Sequence, residues 1–244
     1  MLAGVSVEYF SRLERGNLAG ASPAVLNAIA SALLLNQDER AHLMDLSRAA
    51  NESPVRATGH ALPREAGQTM QLALDAITTS PAFVRNARMD VVAENLMFRA
   101  LYSPLYAMPE RPVNLAKFVF LHRESSGRFY PDWSLAADIN VAILRTESGR
   151  NPHNTSLRAL VTELSGSSAE FRTRWDAHNV RNHATGEKVF HHPIVGELRM
   201  LYQAMEPLDT PGMNFLIYTA EPGSRTADSL RLLASWAATT GVLT

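Results

Sequence analysis

Cysteine is absent from the sequence, which excludes disulfides, iron–sulfur clusters and thiolate zinc sites and fits a reducing compartment. Neither sign of charge is in excess: 23 lysines and arginines stand against 24 aspartates and glutamates. Composition alone therefore supplies no strongly basic field for nucleic acid. Long hydrophobic runs are missing as well. The stretch from Ala28 to Leu35 falls far short of a membrane span, and no basic segment followed by an apolar run and cleavage site opens the chain; the expectation is a cytoplasmic protein with no membrane partner. No Gly-x-Ser-x-Gly elbow, phosphate-cradling glycine loop, dinucleotide fingerprint or His-Glu-x-x-His helix occurs, so no catalytic residue is assigned and no enzyme is expected. His178, His183, His191 and His192 lie close in sequence, but a strand sends the last two to opposite faces, and no metal site is expected. What is present is an ordinary globular composition, 46% hydrophobic over 244 residues, enough to build a substantial core.

Residues 1–50 read as helices jointed by Ser, Asn and Gly. Ser22-Pro23 is a start signal, an N-cap followed by proline at the first helical position, after which Val25, Ile29, Ala32 and Leu33 line one face. Asn36 and Glu39 have capping-box spacing for the next helix. Residues 51–63, with Pro54, Gly59, His60 and Pro63, read as a linker. Residues 64–244 form the second domain. It opens with a helix over 64–78, then strand-like runs at 81–86 and 89–93 around a turn at Asn86-Ala87-Arg88, then a helix from Glu94 to Tyr102. Helices are predicted over 113–122, 133–145, 156–165 and 169–178, and strands over 187–192, 194–205 and 213–220. In the last of these Met213, Phe215 and Ile217 face one way and Leu216, Tyr218 and Ala220 the other, so both faces need an apolar cover. Glu221-Pro222-Gly223-Ser224 makes a turn, Ser224 caps a closing helix carrying Leu230, Leu233, Ala234 and Ala237, and that helix is expected over one face with the middle helices over the other. The fold class is α+β, an antiparallel sheet domain covered by helices behind an all-α N-terminal module.

The run from Ala3 to Gly16, with Gly4 at a tight turn, Val5 between helices, Ser6 as cap and Arg12-Leu13-Glu14-Arg15-Gly16 at the end, resembles the second half of a Cro-like helix-turn-helix of the xenobiotic-response-element type. It offers Ser6, Glu8, Tyr9 and Arg12 to a DNA groove. Such a module needs a helix and most of another before Gly4, so the motif reads as truncated: either the start lies further upstream, or operator binding has been lost. The arginines of residues 1–50, Arg12, Arg15, Arg40 and Arg48, are outnumbered by Glu8, Glu14, Asp38, Glu39 and Asp45, which gives no excess positive charge for phosphates. Six further motifs, among them Met89 to Asn95, Tyr130-Pro131-Asp132-Trp133, Trp175 with His178 to Arg181, His192 to Leu198, Tyr218 to Ser224 and Leu232 to Trp236, resemble the MmyB-like transcription regulators. The resemblance spans nearly the whole chain. It implies a helix-turn-helix joined to a PAS-like ligand-binding domain; Asn179 and Glu94 depart from the usual residues.

Three stripes of residues, each of which alone reads as ordinary core, point to a pocket when taken with the resemblance. Asn95 and Arg99 share a helical face with Tyr102 one turn on; Phe171, Trp175 and His178 form a second stripe, continued by Arg181; Trp133 heads a third; and Tyr202 faces inward on its strand. Apolar positions outnumber polar anchors, so the expected ligand is apolar with one polar or anionic end, a fatty acid or related acyl compound, with no other cofactor. Arg99 is the expected carboxylate clamp, helped by Asn95 and His178, with Arg181 as competitor. The functional expectation is a homodimeric, ligand-responsive regulator of operator DNA; the alternative is a lipid-binding protein that no longer contacts DNA.

Overall fold

The computed structural model describes residues 11, 13, 21–51, 64–177, 185–208, 210 and 212–239. Helix α1 (Pro23–Ala32) begins where the Val25 amide donates to the Ser22 hydroxyl at 3.3 Å. Helix α2 (Gln37–Asn51) begins with reciprocal capping: the Glu39 amide donates to Asn36 Oδ1 at 3.0 Å and the Asn36 amide to Glu39 Oε2 at 2.8 Å. The apolar stripe of α1 is rotated from the expected one. Leu26, Ile29 and Ala30 are buried while Leu33 is exposed, because Leu26 and Ile29 pack with Leu13, Ala21 and, across the helix pair, Leu43 and Met44.

Helix α3 (Arg64–Asp75) leads into β1 (Ala82–Arg85) and β2 (Val91–Glu94). Helices α4 (Leu96–Leu101), α5 (Ser103–Tyr106), α6 (Leu115–Leu121), α7 (Arg123–Phe129), α8 (Trp133–Arg150), α9 (Thr155–Ser167) and α10 (Ala169–Asp176) follow. Then come β3 (Thr185–His192), β4 (Gly196–Met205), β5 (Asn214–Thr219) and α11 (Arg225–Thr239). The sheet is antiparallel throughout, in the order β2-β1-β5-β4-β3. This is α+β with an open sheet and a helical insertion between β2 and β3, in keeping with the PAS-like domain that the resemblance implies.

The covers of the two faces differ from expectation. Phe83, Phe190, Leu198, Met200, Tyr202, Leu216 and Tyr218 face a single core shared by the middle helices and by Leu230, Leu233 and Ala237 of α11. The opposite face, Ala82, Val84, Phe215 and Ile217, is covered by Met70 and Leu74 of α3 with Ile77. Period-two alternation shows that both faces are apolar but cannot say which helix takes which. The predicted parity of β5 holds residue for residue. The outward residues of β4 from Glu197 to Met205 are exposed.

Three boundaries also move. Glu94 closes β2 rather than opening a helix, because it registers opposite Phe83, and Asn95 is the N-cap of α4. Helices α5 and α7 were not predicted. Helix α8 runs on to Arg150, its last turn burying Glu147 and Gly149 beside the N-terminal module, where Arg150 Nε lies 3.4 Å from Asp45. A buried network fixes the β1–β2 turn: Asn86 Oδ1 accepts from the Arg88 and Asp90 amides at 2.9 and 3.0 Å, and Asn114, the N-cap of α6, donates to Asp90 Oδ1 at 2.7 Å. Met89 takes φ 65° at that turn, a strained conformation for a side chain that this network and the burial of Met89 hold in place. Among the described residues no helix is long and apolar enough to cross a membrane.

Candidate ligand-binding site

The inward faces of three strands meet at a cluster of tyrosines. Tyr202 of β4 pairs with Tyr218 of β5 on one side and with Gly186 of β3 on the other. A Cβ on Gly186 would lie 3.1 Å from the Tyr202 ring, so glycine is what lets that ring lie across the strand. Two residues beyond Gly186, Lys188 shares the inward parity of Phe190. From the helical layer, Tyr102 at the end of α4 and Tyr130 at the end of α7 reach the same point. Tyr130 donates to Tyr102 at 3.4 Å, the Tyr102 and Tyr218 hydroxyls are 3.2 Å apart, and Lys188 Nζ donates to Tyr218 at 3.4 Å. Lys188 is half-buried, lies 5.2 and 5.6 Å from the ring centroids of Tyr202 and Tyr218, and has no carboxylate partner among the described residues. Phe83, Phe98, Phe129 and Phe190 enclose the chain of hydroxyls. Burial raises the pKa of Tyr102, Tyr130 and Tyr202 above the ordinary phenol value, for Tyr102 with further contributions from Tyr130 and Tyr218. At neutral pH these hydroxyls are therefore protonated donors.

Trp133, Phe171 and Trp175 form a second group, within the helical layer. Trp133 Nε1 donates to Ser126 Oγ at 3.1 Å and the Val119 carbonyl at 3.3 Å, and the Arg123 guanidinium sits 3.8 Å from its ring centroid. Phe171 stacks on Trp175 at 5.6 Å and meets Phe120 edge-on at 5.0 Å. Arg145 lies 4.4 Å over the Trp175 ring and bonds to its carbonyl. The predicted stripes thus come together in two places: Tyr102 and Tyr202 at the sheet, and the other three aromatics between α6, α8 and α10.

Asn95 and Arg99 lie elsewhere. Asn95 Oδ1 accepts from the Phe98 and Ala82 amides at 2.9 and 3.0 Å, and its Nδ2 donates to the Ile77 and Ser80 carbonyls at 2.7 and 2.8 Å. One side chain thereby joins the start of α4, the start of β1 and the end of α3. Arg99 pairs with Glu94 at 2.7 Å and lies 5.1 Å over the Tyr106 ring; the bond to Glu94 holds its charge more firmly. His178 and Arg181, and the groove-facing Ser6, Glu8, Tyr9 and Arg12, lie outside the described residues. Sequence reasoning passed over Lys188 as a site residue, although strand parity with Phe190 and His192 would have found it. It also passed over His192, whose Nε2 bonds to the Ala100 carbonyl at 3.1 Å while Nδ1 accepts from the Ile194 and Val195 amides at 3.2 and 3.4 Å. Burial lowers the His192 pKa.

The family model for the MmyB-like transcription regulator ligand binding domain matches residues 66–233, well over half of the chain. The chain belongs to the MmyB-like regulators. Its MmyB-like domain takes in the whole sheet, the tyrosine cluster, the helical layer and most of α11. No curated protein matches the chain.

Proposed function

We propose that this MmyB-like chain is a cytoplasmic, homodimeric transcription regulator whose ligand-binding domain takes a fatty acid or similar acyl compound and changes operator binding by the N-terminal module. The family match over residues 66–233 carries the reading. The tyrosine cluster supports it, because a core otherwise built of Phe, Leu and Met here brings several hydroxyls and a lysine to one point. Ligand binding would favour one arrangement of the domain over another, and α2, packed on the end of α8, would pass that preference to Ser6, Glu8, Tyr9 and Arg12 in the groove. The test is organic extraction of the folded protein with mass spectrometry. An electrophoretic shift assay follows, comparing this chain with an upstream-extended one, with and without the extracted compound. Acyl compounds in the extract and a ligand-dependent shift support the proposal; an acyl extract with no shift in either chain leaves the lipid-binding alternative, which the acidic balance of residues 1–50 favours; an extract without acyl compounds refutes both.

A further inference from the structure

The tyrosine cluster holds more hydrogens than acceptors. Lys188, Tyr218, Tyr102 and Tyr130 are joined in a single file by the contacts at 3.4, 3.2 and 3.4 Å. A lysine ammonium offers only donors, and each phenol offers one hydrogen. The two tyrosine–tyrosine links use two of the phenolic hydrogens, whichever way the central one points, and the lysine link uses one ammonium hydrogen. One phenolic hydrogen and two ammonium hydrogens are then left over. No carbonyl or carboxylate of the described residues bonds to any of the four groups. The leftover phenolic hydrogen is buried, and beside an ammonium with no carboxylate partner among the described residues an anionic acceptor is its better match. Lys188 is half-buried on β3, the edge of the sheet, beside exposed Gly186, while Tyr218 behind it is buried. Inward from Lys188, Phe129, Phe190 and Met200 are buried around the file of hydroxyls.

We infer that Lys188 and the Tyr218 hydroxyl bind the anionic end of the ligand, a carboxylate whose acyl chain extends among the aromatic rings, and that Arg99 does not. The inference rests on the acyl-ligand reading above and adds to it the residue that selects a carboxylate. Calorimetric titration of the delipidated full chain with dodecanoate and with dodecanol separates the two. Lys188→Met weakens dodecanoate binding about ten- to hundredfold, the range of a charge-assisted hydrogen bond, and leaves dodecanol within about twofold. Tyr218→Phe weakens dodecanoate by a smaller factor. Lys188→Arg restores most of the affinity, and Arg99→Met leaves both ligands unchanged. The inference is overturned if Lys188→Met binds dodecanoate as wild type does, if it loses both ligands equally while Lys188→Arg fails to recover dodecanoate, or if Arg99→Met alone loses the carboxylate. Wild-type protein that binds neither compound refutes the acyl reading itself; wild type that binds both equally refutes only the role of Lys188.

Discussion

Replacing Asn95 by alanine separates a structural role from a ligand-binding one. The Asn95 amide satisfies four backbone groups from three segments. Loss of the cap on α4 costs about 1 kcal/mol. The Ala82 amide is left buried without a partner, at about 1–3 kcal/mol. The Ile77 and Ser80 carbonyls are part-buried, so water recovers some of their bonding and they contribute less. The expected loss is about 3 kcal/mol, a large share of the ~5–15 kcal/mol that holds a typical domain together. Urea unfolding followed by tryptophan fluorescence should show a lower midpoint at unchanged slope. Asn95→Asp keeps both acceptor contacts but turns a second oxygen toward two carbonyls. It should be similarly destabilised at neutral pH and recover on acidification, because repulsion raises the carboxyl's folded pKa and the folded state then takes up the proton first. A loss under about 1 kcal/mol in Asn95→Ala, accompanied by loss of bound acyl compound, would refute the structural assignment and return Asn95 to the ligand.

Acidification provides a second test. Burial lowers the pKa of His42 and of His192 from the ordinary value of 6.5, so the unfolded chain binds protons first. Stability should fall as pH drops below about 6.5 and level off below the folded values, and His192→Gln should flatten the profile in urea titrations across that range. For His42 the neighbouring Asp45 opposes the shift and Arg145 adds to it, so the double variant His42→Gln/His192→Gln should lose less stability on acidification than His192→Gln alone. Gly149→Ala directs a methyl into the His42 ring; it should cost about 1–3 kcal/mol and raise hydrogen exchange in α2 while leaving β3–β5 protected. Arg99→Ala removes a partly exposed ion pair and should change stability by no more than about 1 kcal/mol in the same urea assay.

Local chemistry was the legible part of the fold. Ser22, the Asn36–Glu39 pair and Ser224, whose hydroxyl accepts from the Ala227 amide at 3.2 Å, announce their helices because a cap and its amides lie within three residues. The parity of β5 is legible for the same reason. Asn95 shows the limit: it reads as a pocket anchor because its carbonyl partners Ile77 and Ser80 are 18 and 15 residues away, beyond any local pattern. Helix α7 was hidden by Ser125, Ser126 and Gly127, weak helix formers; Ser126 earns its place by bonding to the Val119 carbonyl at 3.1 Å and receiving Trp133 Nε1. Of the candidate site, Tyr130 and Tyr218 fell within recognisable motifs and Tyr102 and Tyr202 on expected pocket faces, whereas Lys188 was passed over although its strand parity, seen in the register with Met200, turns it inward.

Helix α8 is 18 residues long, a rod of about 27 Å at 1.5 Å per residue. Its Trp133 end is gripped between arginines in the helical layer, and its Gly149 end meets His42 with no room for even a methyl group. Pivoting such a lever by about 5° sweeps the far tip through roughly 2 Å. At a joint with no slack, that travel has to be taken up by the neighbouring α2, so a small tilt at one end becomes a displacement at the other.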